Sequence, residues 1–104
     1  MASQSHVAGP QWTFLTNYAH VLVLMAEEPM VRTRDLALRV GITERAVQRI
    51  VADLVDAGYV TRQRIGRRNR YVIQRDRSLR HPVEAGFTLG DLLQFVEAKR
   101  CASS

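Results

Sequence analysis

The chain has 104 residues, of which 46% are apolar and 24% are charged, and its formal net charge at pH 7 is +5. This composition is typical of one globular domain with a modest core and excludes an intrinsically disordered chain. The longest apolar run, residues 21–26, is too short to cross a bilayer, and no leader peptide precedes it. With a single cysteine, which excludes an internal disulfide, these features predict a cytoplasmic protein that does not contact membranes.

The N-terminal part of the chain predicts a polar tail followed by one long helix. Residues 1–10 have little to bury and end in Gly-Pro, which favours a loose tail. The helix is predicted from about Trp12 to Glu28, and Pro29 ends it. Its apolar residues project to several sides, so the helix is expected to be buried on several sides, partly by a second subunit.

A pair of short helices joined by a tight turn is predicted next, after a short extended piece at 30–32. Thr33 is expected to cap the first helix, and Gly41 is expected to end it in the left-handed region. Thr43 then caps the second helix, which is predicted to extend to about Ala57. Four apolar residues at helical spacing form the core stripe of this helix, namely Val47, Ile50, Val51 and Leu54.

Residues 59–73 predict a β-hairpin, because they are rich in Tyr, Val, Ile and Thr and contain a basic, glycine-bearing tip at 66–69. The arginines are clustered around this hairpin. Residues 59–80 carry eight arginines and one acidic residue, whereas the segments before and after each have a net charge of −1. Solubility alone does not require this clustering, so it indicates an acidic partner.

The C-terminal part predicts a linker over 76–87, broken by Pro82 and Gly86, and a last helix over 88–100. Thr88 and Asp91 match a capping box at the start of this helix. The first and last helices both have spare apolar surface, which predicts a homodimer. The candidate dimer contacts are Trp12, Phe14, Val21, Leu24, Leu89, Leu92, Phe95 and Val96.

The order of these elements resembles the winged helix-turn-helix fold of bacterial and archaeal transcription regulators, the group that includes the MarR and ArsR families. The resemblance covers residues 12–73 and is most specific over 34–73, in RDLALRVGITERAVQRIVADLVDAGYVTRQRIGRRNRYVI. This segment has the helix-Gly-apolar-Thr turn, the apolar pattern of a recognition helix, the ending Gly58-Tyr59-Val60, and an arginine-rich wing. The resemblance implies a mainly α fold with a small β-hairpin (α+β), a DNA-binding domain over 11–75, and a dimeric transcription regulator.

The residues themselves also favour duplex DNA as the partner. Arg45 and Arg49, with Gln48 beside them, project opposite the core stripe of their helix. An α-helix fits the major groove, where arginine matches guanine and glutamine matches adenine through two hydrogen bonds. Asp53 and Asp56 would repel phosphates, so only the first two turns are predicted to enter the groove.

The wing arginines would neutralise phosphates or enter a narrow minor groove. A purely structural interpretation is a solvated hairpin whose charges discourage edge pairing. Glu44 is open to two interpretations as well, an acceptor for cytosine or a charge that favours the helix N-terminus. The candidate DNA contacts are Thr43, Glu44, Arg45, Gln48, Arg49, Arg62, Arg64, Arg67, Arg68, Asn69 and Arg70.

Other functions are left open by the sequence. A winged-helix protein–protein interaction module would keep the fold without binding DNA, and a non-specific chromosome- or RNA-binding protein would share the charge without a sequence preference. The three histidines and Cys101 lack ligand spacing, and no catalytic constellation is present, so we expect no metal, no cofactor and no enzyme activity. An unidentified small-molecule effector, bound between the start of the first helix and the last helix, is a further hypothesis.

Overall fold

The computed structural model describes residues 12–103, with side chains up to residue 97, and the predicted tail at 1–10 lies outside this range. The described residues form four α-helices and a two-stranded antiparallel hairpin, which confirms the predicted mainly α fold with a small β-hairpin. A short 3-10 turn lies before the last helix. In chain order the elements are α1 (Asn17–Glu27), α2 (Thr33–Val40), α3 (Glu44–Asp56), β1 (Val60–Ile65), β2 (Arg68–Ile73), the 3-10 turn (Pro82–Glu84) and α4 (Leu89–Ser103).

Helix α1 begins five residues later than predicted. Thr16 has an extended backbone and its side chain accepts a hydrogen bond from the N–H of Ala19 at 3.4 Å, which caps the helix. Threonine is among the residues favoured at this position because its oxygen satisfies an N–H that has no partner within the helix. The aromatic and apolar residues at 12–15 therefore precede the helix, while its C-terminal end falls before Pro29 as predicted.

The turn between α2 and α3 is the one that the sequence predicts. Gly41 has φ of 87° and ends α2, and the side chain of Thr43 accepts a hydrogen bond from the N–H of Ala46 at 3.0 Å. One detail was wrong: Thr33 is the first helical residue of α2, and Arg32 occupies the cap position without a side-chain hydrogen bond. The glycine end and the threonine cap together set the direction in which α3 leaves the turn.

The core lies where α1, α2 and α3 meet the base of the hairpin, and the predicted apolar stripe of α3 is fully part of it. Three residues that were predicted to face a second subunit, Val21, Leu24 and Leu89, are instead buried within the single chain. The reason is that α2, α3, the hairpin and α4 together cover α1 on several sides. The buried cluster comprises Val21, Leu22, Leu24, Met25, Val31, Leu36, Ala37, Val47, Ile50, Val51, Leu54, Tyr59, Val60, Tyr71 and Leu89.

The hairpin pairs β1 with β2 from Val60 opposite Ile73 to Ile65 opposite Arg68. Its turn is the dipeptide 66–67, in which the glycine has φ of 63° and the arginine has a negative φ. These signs are those of a type II′ turn, whose twist matches that of paired strands. The extended piece predicted at 30–32 is not a strand. The N–H of Tyr71 donates a hydrogen bond to the carbonyl of Pro29, which precedes this piece, and so connects the loop to the hairpin.

The predicted linker is held against the winged helix by several hydrogen bonds. The carbonyls of Arg75 and Arg77 accept from the first two N–H groups of α4 at 2.8 and 2.9 Å. The phenol of Tyr59 donates to the carbonyl of Ser78 at 2.9 Å. At the start of α4, the residues at 88 and 91 exchange side-chain and backbone hydrogen bonds, which confirms the predicted capping box. The position of α4 is thus determined by contacts with the rest of the domain.

Candidate nucleic-acid interface

The outer face of α3 presents three exposed polar side chains, those of Arg45, Gln48 and Arg49. Within the described residues, none of the three makes a hydrogen bond or an ion pair. Two arginines one helical turn apart repel each other by about 0.2–0.5 kcal/mol in an isolated helix. The opposite side of α3 is buried in the core, so these side chains are held outward on a fixed helix.

The first turn of α3 places Thr43 and Glu44 at the same exposed end. The hydroxyl oxygen of Thr43 is already an acceptor in the helix cap, which leaves its proton for another partner. Glu44 stands where the positive end of the helix dipole favours a carboxylate. The interpretation of Glu44 as a charge that stabilises the N-terminus of α3 therefore has a direct physical basis.

The second half of α3 contains a contact that the sequence did not predict. The phenol of Tyr18 in α1 donates a hydrogen bond to Oδ2 of Asp53 at 2.6 Å. This hydrogen bond and the negative charge of the carboxylate, together with partial burial, raise the pKa of Tyr18 above its usual value. The two residues are 35 positions apart, so no local pattern could have indicated that they meet.

The wing presents four exposed arginines, at 62, 64, 67 and 70. Arg67 lies in the two-residue turn, and Arg64 supports that turn by donating from Nε to the carbonyl of Gly66 at 3.0 Å. Arg62 and Arg64 lie two residues apart on β1, so their side chains share one face of the hairpin. Arg70 pairs with the residue between them, so its side chain lies on the other face. Positive charge is consequently present at the tip and on both faces of the hairpin.

Arg68 makes a hydrogen bond within the chain, and its predicted contact with phosphates stays a prediction. Its side chain is partly buried, and Nη2 donates to the carbonyl of Met30 at 2.6 Å. Its Nε is buried, with no hydrogen-bond partner among the described residues. The side chain connects β2 to the loop before α2, which leaves it fewer donors for a phosphate than the exposed wing arginines have. The neighbouring Asn69 is also only partly exposed.

Two more arginines of the basic segment support the fold. Arg75 forms a two-bond ion pair with Glu97 of α4, at 2.8 and 3.4 Å. Arg77 donates to the carbonyls of Ala57 and Gly58, at 3.2 and 3.1 Å. These carbonyls lie at the C-terminal end of α3, where intrahelical partners are missing. Neither arginine was among the predicted DNA contacts, and both stabilise the fold.

The remaining predicted dimer contacts differ in exposure. Trp12, Phe14 and Phe95 are 69, 93 and 77% exposed, so they offer large apolar surfaces to a partner. Leu92 and Val96 of α4 are half-buried. The described residues contain no group of three or more side chains suited to holding a metal ion, and none of their helices is long and apolar enough to span a membrane.

A mainly apolar groove of about 450 Å³ lies between α1, the end of α3, the 3-10 turn and α4. It includes the region of the effector hypothesis, with Phe14 and Leu15 on one side and Leu92 on another. Tyr18 and Asp53 also line it. Its existence does not test the hypothesis, which stays a prediction.

A sequence model of the MarR family matches residues 13–70, which is more than half of the chain. The chain belongs to the MarR family. This assignment makes it a winged-helix, DNA-binding transcription regulator and not an enzyme, as the sequence predicted. Members of the family bind DNA and typically act as dimers.

A solved structure, that of T. potens IscR, has the same fold. It superposes with a TM-score of 0.56 at 20% sequence identity, covering 86% of this chain and 91% of that one. At this identity the likeness concerns the fold alone. No curated protein sequence matches the chain.

Proposed function

We propose that this MarR-family chain is a sequence-specific regulator that binds duplex DNA as a homodimer. The observation that carries the proposal is the set of Arg45, Gln48 and Arg49 on α3, which are exposed and have no partner among the residues that the structure describes. Their helix is anchored on its opposite side by four buried residues, so the polar side chains have a fixed direction. A fixed helix that presents these side chain types is what direct contact with base edges in the major groove requires.

The N-terminal half of α3 is the part that enters the groove in this proposal. In helix-turn-helix proteins the first residues of the recognition helix contact the bases. Arg45 and Arg49 each present a donor pair suited to guanine, and Gln48 suits adenine. Thr43 and Glu44 stand beside them. The second half of α3 carries Asp53, whose carboxylate is already engaged by α1.

The wing makes the second contact with DNA. Arg62, Arg67 and Arg70 are exposed and have no hydrogen bond or ion pair in the described part of the chain. They neutralise phosphates and release counterions, and Arg67 in the turn is placed to enter the minor groove. Arg64 contributes its charge while it supports the turn.

The homodimer forms through the exposed apolar residues of the α1 and α4 region, Phe14 and Phe95 among them. Two recognition helices then reach successive major-groove faces about 34–36 Å apart. Such an arrangement requires a pseudo-palindromic operator. The same region carries the groove that an effector would occupy if the regulator has one.

The proposal is tested by selecting bound duplexes from a random DNA pool at physiological salt. We expect enrichment of a pseudo-palindrome whose half-sites are one helical turn apart. Retention of DNA without any enriched sequence would instead favour a non-specific chromosome- or RNA-binding protein. If no DNA were retained even at low salt, the domain would be a protein–protein interaction module.

A further inference from the structure

The hydrogen bond between Tyr18 and Asp53 connects the first turn of α1 to the DNA-facing helix. It is 2.6 Å long and lies at the surface, since Tyr18 is 39% exposed and Asp53 is exposed. The core that packs α1 on α3 is formed by other residues. The bond is therefore not needed to bury either helix, and its position beside the DNA-facing surface suggests another role.

Arg49 and Asp53 have the spacing at which side chains on a helix attract each other. Four residues apart, they are separated by about 40° around the helix axis and by one turn along it. An arginine and an aspartate at this spacing attract each other weakly, and less in this order, with the arginine first, than in the reverse order. In the part of the chain that the structure describes, however, the ion pairs within 4.0 Å are those of Arg39 and Arg75. Arg49 has none.

The charge of Arg49 also acts on the phenol of Tyr18. The hydrogen bond to Asp53 is the largest cause that raises the pKa of the phenol, and the positive charge of Arg49 acts in the opposite direction. The Asp53 carboxylate thus accepts a hydrogen bond from Tyr18 and lies one helical turn along α3 from Arg49. In the structure, the neutral phenol of Tyr18 donates its hydrogen bond to this carboxylate.

We propose that Tyr18 is a positioning residue for DNA recognition, because it holds the Asp53 carboxylate on the α1 side and leaves the guanidinium of Arg49 free to bind a base. The inference rests on the proposed function, in which Arg49 contacts DNA. Without the phenol, the carboxylate turns toward Arg49 and competes with the base for the same donors. The carboxylate also becomes an unpaired negative charge beside the phosphates.

The test compares affinity for the selected operator with affinity for a random duplex of equal length, at physiological salt. Tyr18→Phe removes the hydroxyl and keeps the ring. We expect it to lower the operator-to-random ratio about 1.4- to 2.3-fold per subunit, hence about two- to five-fold for a dimer, which is the size of effect expected from a surface ion pair at this spacing. Circular dichroism and thermal melting check that each variant is folded.

The same substitution is then made in two other backgrounds. In Arg49→Ala, Tyr18→Phe should leave the ratio unchanged, because no guanidinium is present to be withdrawn. In Asp53→Asn, Tyr18→Phe should again have no effect, because a neutral amide does not attract Arg49. Tyr59→Phe is the matched control, since it removes the hydrogen bond to the Ser78 carbonyl without touching α3's exposed face. Its ratio should equal that of the wild type when both proteins are compared in the same oligomeric state, checked by sedimentation velocity.

The possible results distinguish a failure of the role proposed for Tyr18 from a failure of the proposed function. If Tyr18→Phe lowered the ratio equally in the Arg49→Ala background, Tyr18 would act through the fold and the inference would be wrong. If Arg49→Ala lowered the ratio but Tyr18→Phe did not, the proposed function would stand and the inference would fail. If Arg49→Ala itself changed nothing, the assignment of the recognition helix would fail, and the inference with it.

Discussion

Arginine side chains in this protein differ in exposure and in hydrogen-bond partners, and these two properties separate the arginines proposed to contact DNA from those that support the fold. Arg45 and Arg49 are exposed and unpartnered among the described residues, whereas Arg68 and Arg77 donate to backbone carbonyls of other segments. A guanidinium that satisfies a carbonyl contributes charge to the surface but has fewer donors for DNA. Substitutions at the two kinds of arginine should therefore produce different phenotypes.

Replacing Arg49 by alanine should relax the sequence preference of the protein. A two-bond contact with a base contributes about 1–3 kcal/mol of discrimination, so preference at one operator position should fall about five-fold or more in each half-site. Competition binding with single-base operator variants measures this. Arg39→Ala is the matched control, because it removes the same charge from an exposed residue that is paired with Glu27 at 3.5 Å. An unchanged preference in Arg49→Ala would contradict the role assigned to α3.

At the scale of elements, the junction between α3 and the hairpin combines a glycine in the left-handed region with an arginine from the segment after the hairpin. Gly58 has φ of 83°, which turns the chain from α3 into β1. A Cβ atom at this position would collide with the guanidinium of Arg77, which lies over the end of α3. The carbonyls of Arg75 and Arg77 also accept hydrogen bonds from the first two N–H groups of α4. The orientation of α3, the wing and α4 relative to one another therefore depends on the contacts between residues 57–58, residues 75–77 and the start of α4.

The wing should control the salt dependence of binding. Arg67→Ala combined with Arg70→Ala removes two exposed charges per subunit, and each phosphate contact contributes about 0.9 to the slope of log K against log[salt]. If both contact phosphates, a dimer should lose nearly 4 from the slope, with similar losses for all duplex sequences. Affinity measured between low and physiological salt tests this.

Arg68→Ala is the informative comparison for this prediction. It should lower the melting temperature, because the Met30 carbonyl loses its donor and the wing loses its link to the α2 loop. It should change the salt slope less than either exposed arginine does. A larger slope change for Arg68 than for Arg67 would show that the hydrogen bond to Met30 opens when DNA binds.

At the scale of the whole molecule, one chain leaves large apolar side chains on its surface. Phe14 and Phe95 are 93 and 77% exposed, whereas Val21 and Leu24 of α1 are buried. Exposed aromatic residues of this size are enriched at protein–protein interfaces. The predicted dimer surface is therefore reduced to the residues before α1 and to the exposed side of α4.

Replacing Phe95 by glutamate should convert the dimer into a monomer, since a symmetric interface would bring two carboxylates into an apolar contact. Sedimentation velocity should then give the mass of one chain, and affinity for the two-half-site operator should fall more than about ten-fold. Val83→Glu is the control, because Val83 is 83% exposed and apolar but lies outside the predicted dimer helices. A Phe95→Glu protein that stayed dimeric would place the interface elsewhere.

Local sequence determined the elements that position the site. The glycine at 41, the threonine cap at 43 and the apolar stripe of α3 are short-range signals, and each appears in the structure where the pattern predicts it. The hairpin and the capping box at the start of α4 are of the same kind. Such features depend on residues within one or two turns of each other, so the sequence alone specifies them.

Tertiary structure decided which side chains of those elements are available. Tyr18 meets Asp53 across 35 residues, Arg68 meets Met30 across 38, and Arg77 meets Ala57 across 20. No periodicity or local propensity encodes such pairs, because they depend on how the helices and the hairpin pack together. Packing likewise buried two residues of α1 that the sequence had placed at a dimer surface. The sequence determined that basic residues face outward on α3 and the wing, and only the folded chain determined which of them are left for DNA.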